Sequence, residues 1–315
     1  MSRTIPARPA RSGPSRFLRA LAGQKDLQLM AILGLAWMIV FNFIPMYGIV
    51  IAFKNYNILK PISAAPWAGL EHFREFFTDG SFVRVMRNTL GINGLRLLIG
   101  FPLPILFAIL LNELRGTAFK RAVQTISYLP HFVSWVILCG LLVTWLSDVG
   151  IVNAVLLKLR VIREPIFYLA EPRYFWWIAV ISDTWKEMGW SAIIYLAAIA
   201  GIDPQLYEAA TIDGATRLQK TLYVTVPCIR GAIAIMFVLT VSYLLNSNFD
   251  QIFVLKNQLN RPASDVIDIY VYRMGIQAGR FSYSTAIGLF KSVIALGLLV
   301  LSNRVARRLT GASIF

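Results

Sequence analysis

Apolar residues along this chain gather into six long stretches, at 27–53, 88–112, 122–147, 174–202, 231–249 and 282–303. Three of them, 27–53, 122–147 and 231–249, hold no Asp, Glu, Lys or Arg. The stretch at 88–112 carries only Arg96, that at 282–303 only Lys291, and that at 174–202 carries Asp183, Lys186 and Glu187. A bilayer core of roughly 30 Å takes about 20 apolar residues per helical span. Lipid offers the backbone no hydrogen-bond partner, so such stretches are helices rather than loops or open strands. The pattern predicts an all-α membrane protein with six transmembrane helices, at about 29–53, 89–111, 123–146, 175–200, 231–249 and 283–303. Together they form one membrane domain, 27–303. It is flanked by a basic tail at 1–26 and a short C-terminal tail at 304–315. Between the first two stretches, apolar residues at 70, 73, 76 and 77 recur at helical spacing and predict an amphipathic helix in the loop.

Composition agrees with the pattern. Hydrophobic residues make up 57% of the 315 and charged residues 15%, and the mean hydropathy is +0.61. Charge sets the orientation, because cytoplasmic loops are enriched in Lys and Arg. With both termini inside, the inner segments hold 15 basic and 5 acidic residues, and the outer ones 13 and 9. Arg3, Arg8, Arg11, Arg16 and Arg19 dominate that bias. An isoelectric point near 10.1 does not point to nucleic acid, since the basic residues flank spans and build no groove-reading module. The first apolar run is too long for a secretory signal and no small-residue cleavage site follows it. Cys139 and Cys228 lack metal-ligand spacing and read as reduced packing residues.

The inner segment at 203–228 departs from this scheme. Asp203-Pro204 is a helix start, with Asp capping free amides and Pro at the first helical position. Leu206, Ala209 and Ala210 then share a face, and Gly214 is expected to stop the helix with a positive φ. A second short helix is predicted from Ala215 to about Tyr223, ended by Pro227 before the fifth span. Small side chains on an exposed helix let another protein's groove approach its backbone. An ordinary hairpin packing those alanines on its own bundle fits the same residues.

The stretch Glu208-Ala-Ala-Thr-Ile-Asp213-Gly214-Ala, closed by Val224-Thr-Val226-Pro227, resembles the signature loop of permease subunits of binding-protein-dependent ABC importers. Three further segments are similar to permeases of the carbohydrate-uptake class, in the branch handling polysaccharide-derived oligosaccharides. They are Tyr47-Gly-Ile-Val-Ile-Ala-Phe53-Lys-Asn-Tyr56, Tyr128-Leu-Pro-His-Phe132-Val-Ser-Trp135 and Asp265-Val-Ile-Asp268-Ile-Tyr270-Val-Tyr-Arg273. The resemblance implies a type I importer permease bundle in the bacterial cytoplasmic membrane. It further implies a second homologous permease, two ATPase subunits inside, an extracytoplasmic sugar-binding protein outside and an oligosaccharide substrate. By the same resemblance Glu208, Ala209, Ala210, Asp213, Gly214 and Pro227 couple the chain to the ATPase. No phosphate-cradling Gly-x-x-x-x-Gly-Lys-Ser/Thr loop occurs in the sequence. No cofactor is therefore expected on this chain, and ATP and Mg would belong to the partner ATPase.

Charges inside lipid cost roughly 2.5–3.5 kcal/mol each near the centre and usually face protein or water. Asp183 and Lys186, three apart, can pair on one helix face. With Glu187 and Trp190 they read as a pathway wall for sugar hydroxyls, as a self-neutralised pair, or as an ion pair to a partner permease. Asn246, Asn248, Asp250 and Gln251, beside Tyr243, suit hydroxyls or cap the fifth helix, Lys291 is a deeper pathway candidate, and Arg96 is expected to snorkel outward. His72 and His131 lack a catalytic partner in sequence reach and are expected to be structural. No paired-carboxylate, metal or nucleophile constellation suggests an enzyme. An ion-coupled carrier would not need the inner loop, and an ABC importer for a non-sugar solute remains the other reading. An acidic, uronate-containing sugar is expected from the basic outer loops, with neutral sugars left open.

Overall fold

The computed structural model describes residues 25–311, all helix, turn and loop, with one isolated antiparallel bridge between Lys54 and Trp67. The expected basic tail falls almost wholly outside the described residues. Two units emerge, dividing after Ile51. The first holds the helix α1, Leu27–Phe53, up to Ile51; its large apolar side chains are exposed, with Trp37 packed on Phe41 at 4.2 Å.

The second unit holds the other helices. They are α2 Glu71–Thr78, α3 Phe82–Glu113, α4 Thr117–Phe132, α5 Trp135–Trp145, α6 Ile151–Lys158 and α7 Pro172–Ala200. There follow α8 Pro204–Ile212, α9 Arg217–Ser242, α10 Phe249–Leu255, α11 Arg261–Ser264, α12 Ile267–Tyr272 and α13 Phe281–Thr310. Four of the described helices, α1, α3, α9 and α13, are long and apolar enough to cross a bilayer, and α4 with α5 makes a fifth if counted as one span. The 29-residue α7 has the length, at roughly 1.5 Å per residue, but carries Asp183, Lys186 and Glu187 in its middle.

The third apolar stretch is not one straight rod. It turns through 98° between α4 and α5. Pro130 sits in a 3-10 turn, Leu129–Phe132, Val133 is extended, and the Ser134 hydroxyl caps the new helix at the Ile137 amide. The α5 segment is more apolar than α4, but no charge falls at the break itself, and Pro130 and Ser134 are its local marks.

Prolines elsewhere in the spans are absorbed rather than obeyed. Proline lacks the amide and its ring strikes the carbonyl four residues back. A π turn, closed by bonds to the fifth residue, widens the helix at that carbonyl. Such turns, at Ile39–Phe43, Arg96–Gly100 and Thr221–Thr225, stand just before Pro45, Pro102 and Pro227. The expectation that Pro227 ends a helix is therefore corrected: α9 runs unbroken through it to Ser242, stopping short of the expected end at 249.

The long α7 is the central rod of this unit. It meets α4 where Gly189 lies against the Ser127 carbonyl, and a Cβ there would stand 2.2 Å from that oxygen. It meets α3 where Gly91 takes the Trp176 ring, whose indole N–H donates to the Ala263 carbonyl at 3.1 Å. Gly189→Ala should therefore lower stability by about 1–3 kcal/mol through overpacking. A thermal-unfolding scan of the detergent-solubilised chain measures it.

The loops on the α2 side pack as a lobe of their own. Phe76 of α2 is buried against Tyr270, Tyr283 and Phe290, so α2 packs on α12 and α13, while Leu70 and Phe77 of the expected apolar face stay exposed. Burial pushes the Asp79 carboxyl up, but hydrogen bonds from the Tyr270 hydroxyl and the Ser81 amide outweigh it and hold Asp79 below the usual carboxylate range. The motif from Asp265 to Arg273 is a clasp. Asp265, 1% exposed, accepts both Arg273 nitrogens at 2.9 and 3.0 Å and a third contact from Arg84. Asp268 accepts from the Ser247 amide and pairs with Lys291.

Candidate functional site

The inner elbow is built from local signals. The Asp203 carboxylate accepts from the Gln205 amide at 2.9 Å, with Pro204 opening α8. Gly214 adopts φ +74°, which lets the Ala215 amide reach the Ala210 carbonyl and its own amide reach that of Thr211. That pair of bonds is a Schellman stop. Thr216 and Gln219 then form a reciprocal cap on α9. Lys220 donates to the Thr211 hydroxyl at 2.7 Å, and the Tyr207 and Thr225 hydroxyls meet at 2.9 Å, so the two arms are tied.

What the elbow presents outward combines small and apolar residues with two carboxylates. Glu208, Ala209, Asp213 and Gly214 are exposed, Ala210 is half-buried, and Glu208 has no ion pair among the described residues. Ile212 is 87% exposed, with Leu218 and Tyr223 nearby in sequence also exposed. Ala209 is thus not spent on packing its own bundle. Pro227 is exposed within α9.

A cavity of about 620 Å³ opens between α3, α7 and the end of α9. Asn93, Arg96, Asp183, Thr184, Glu187, Tyr243 and Asn246 line it. Arg96 turns inward, correcting the expectation that it snorkels: its Nε lies 3.3 Å from Asp183, and its other nitrogens donate to Asn93 and Gln251. Gln251, fully buried, donates in turn to the Ala179 carbonyl and the Ser182 hydroxyl, each at 2.8 Å. Asn248 donates to Asp183 at 3.2 Å and caps α10, not the fifth span. The Thr184 hydroxyl, on the same wall, is buried with no hydrogen-bond partner.

The expected Asp183–Lys186 pair does not form. Lys186 is buried and donates to the His131 carbonyl, freed at the α4–α5 bend, while contacting Glu187 at 3.3 Å. A carbonyl left open by a broken helix needs a donor, and Arg96 already occupies Asp183. Glu187 also holds His131 at 2.7 Å, and that imidazole stacks on Trp190 at 4.4 Å and 1°. Lys186, Trp190, Asn248 and Lys291 therefore do not line the cavity, whereas Asp183, Glu187, Tyr243 and Asn246 do. Arg96, His131 and Thr184 went unselected from sequence, while Gln251, read as a hydroxyl or cap candidate, is buried as a bridge behind Arg96. A lone Arg96 in lipid needed an internal partner on cost alone.

The chain is similar to known proteins in sequence and in fold. The family model described as "Binding-protein-dependent transport system inner membrane component" matches residues 100–311. The polygalacturonan/rhamnogalacturonan transport system permease protein YteP of Bacillus subtilis (strain 168) is 42% identical over 294 residues, covering 93% of this chain and 91% of that protein. A crystal structure of a bacterial ABC transporter involved in the import of the acidic polysaccharide alginate superposes with a TM-score of 0.87 at 39% identity, covering 94% of this chain and 99% of that one. So does a bacterial alginate ABC transporter in complex with alginate pentasaccharide-bound periplasmic protein. Its TM-score is 0.87 at 38% identity, covering 95% and 100%. With a tied inner elbow, a polar cavity among apolar helices and these relatives, the chain belongs to the family of inner-membrane components of binding-protein-dependent transport systems.

Proposed function

We propose that this chain is one of two permease subunits of an ATP-driven importer for an oligosaccharide that contains uronic acids. The observation that carries the reading is the elbow, whose Glu208–Ala209 surface is exposed, unpaired and held rigid on both sides. An exposed apolar and small-residue surface on a rigid support marks a place where another protein seats. In this reading a groove of an ATPase subunit takes α8, with Glu208, Ala209, Ala210, Asp213 and Gly214 at the contact. Pro227 acts only through the shape of α9. ATP and Mg stay on that subunit, and this chain performs no chemical step.

The reading places both termini in the cytoplasm of a bacterial cell, with α7 as the sixth span. Its charges are tolerable there because Arg96 and His131 meet them from neighbouring segments. The cavity at Asp183, Thr184, Glu187, Tyr243 and Asn246 is half of the sugar pathway, completed by a second, homologous permease. Lys186, Trp190, Asn248 and Lys291 hold its walls. An extracytoplasmic sugar-binding protein docks on the α2 side. ATP-driven closure of the paired ATPases would move the elbows and tip the bundle outward. Shifting it from 1:99 to 99:1 takes roughly 5.5 kcal/mol.

The acidic character is supported by the relatives' cargo and by the basic surplus of the outer segments, not by the cavity, where Arg96 is matched by Asp183. The test is ATP hydrolysis by the reconstituted complex, with binding protein loaded with acidic or neutral oligosaccharide. Acidic chains should stimulate hydrolysis several-fold more. Equal stimulation by neutral chains would remove the uronate assignment, and no stimulation by either would remove the importer.

A further inference from the structure

The α2-side loops enclose a second cavity, of about 460 Å³, that the reading above leaves unused. Lys256, Arg261, Asp265, Arg273, Gln258 and Gln277 are on its wall. Its charges do not balance. Asp265 is the single carboxylate there, and it already serves Arg273, Arg84 at 3.4 Å and Arg261 at 3.9 Å. Lys256 has no carboxylate partner among the described residues and rests over the Phe253 ring at 4.6 Å. Burial first, and then the positive charge of Arg273, pull the Lys256 ammonium below the usual lysine range. Four cations around one anion leave a local positive surplus that an incoming anion would relieve. The side-chain amides of Gln258 and Gln277 are exposed and unpaired on the same wall, which adds donors and acceptors suited to hydroxyls.

The placement of this cavity relates it to the first. Helix α10 is capped at its start by Asn248, which holds Asp183, and at its end by Lys256. Eight positions at roughly 1.5 Å each separate these two caps by about 12 Å. We infer that the Lys256–Arg261–Arg273 cavity is a subsite for the carboxylate of a uronic-acid residue, holding an acidic oligosaccharide at the outer mouth while its other end enters the cavity at Asp183. The inference rests on the importer reading and adds to it where the charge of the cargo is read.

The experiment uses the complete complex in liposomes, with binding protein and ATPase subunits, and two probes of one shape. These are tetragalacturonate and its carboxyl methyl ester. The variants are Lys256→Gln with Arg261→Gln, leaving Asp265 and Arg273 in place, and Lys256→Arg as the charge-keeping control. The wild type should favour the acid over the ester in uptake KM. The double glutamine variant should lose about tenfold of that preference, the worth of roughly one charge-assisted contact, and Lys256→Arg should keep it. An equal loss on acid and ester overturns the subsite. So does weaker capture of sugar-free binding protein by the double variant, which would assign the anion to that protein. A wild type that takes up neither probe overturns the uronate importer and this inference with it.

Discussion

Ala209→Arg is expected to abolish uptake while leaving the chain folded in the membrane. Arginine is a good helix former, and Ala209 is exposed, so α8 has no internal reason to unfold. The damage falls on the partner. A long charged side chain beside Glu208 would hold a groove away from the helix backbone. Truncations and obstructions at the centre of an interface commonly cost 2 kcal/mol or more, or about 30-fold in association. Gly214→Arg should act by another route. Nothing lies within 4 Å of a Cβ at Gly214, so space is not the obstacle. Its φ of +74° is: an L side chain pays roughly 1–2 kcal/mol in that region, and the Schellman closure onto Ala210 loosens. Both variants should lose co-purifying ATPase and transport together, with Ala209→Ser as the mild control. Full uptake by the Ala209→Arg complex would end the docking assignment.

The second large effect is expected at the cavity. Arg96→Met removes the guanidinium facing Asp183 and strands a carboxylate inside the bundle, which should cost about 3 kcal/mol, the low end for a severed buried pair. The low end applies because both side chains still border the cavity. Asp183→Asn should destabilise by a comparable route, leaving the arginine short of its anion. The double variant, Arg96→Met with Asp183→Asn, should be milder than the sum of the singles, because neither orphaned charge survives. Thermal melting of the solubilised chain reads the cycle. Additive losses would mean that the two groups do not lean on each other.

The parts legible in the sequence are those whose causes are local. Asp203, Pro204 and Gly214 act within a few residues, and the elbow forms as their chemistry dictates. Apolar length marks where helices run, and lone charges mark where a partner is owed. Long-range geometry stayed hidden. Spacing of three suggests Asp183 with Lys186, yet Lys186 bonds a carbonyl 55 positions away. That carbonyl is open because the chain bends at Val133, inside a stretch that no charged residue interrupts. Pro227 misled in the opposite way. It reads as a stop, but a π turn at Thr221–Thr225 carries the helix past it, and nothing in the apolar pattern announces such a turn. The motif at 265–273 was visible as a pattern, whereas its work as a clasp on Arg84, Ser247 and Lys291 needed three other segments to be placed.

The Asp268 carboxylate joins two strips of chain that hydropathy would assign to separate tasks. One oxygen grips Lys291 in α13, and the other grips the backbone at Ser247, between Asn246 and Asn248. A load on α12 is therefore delivered directly to the backbone between Asn246, on the cavity wall, and Asn248, which holds Asp183. No relay of side chains through the lipid-facing helices is required for a docking event on that lobe to reshape the entrance.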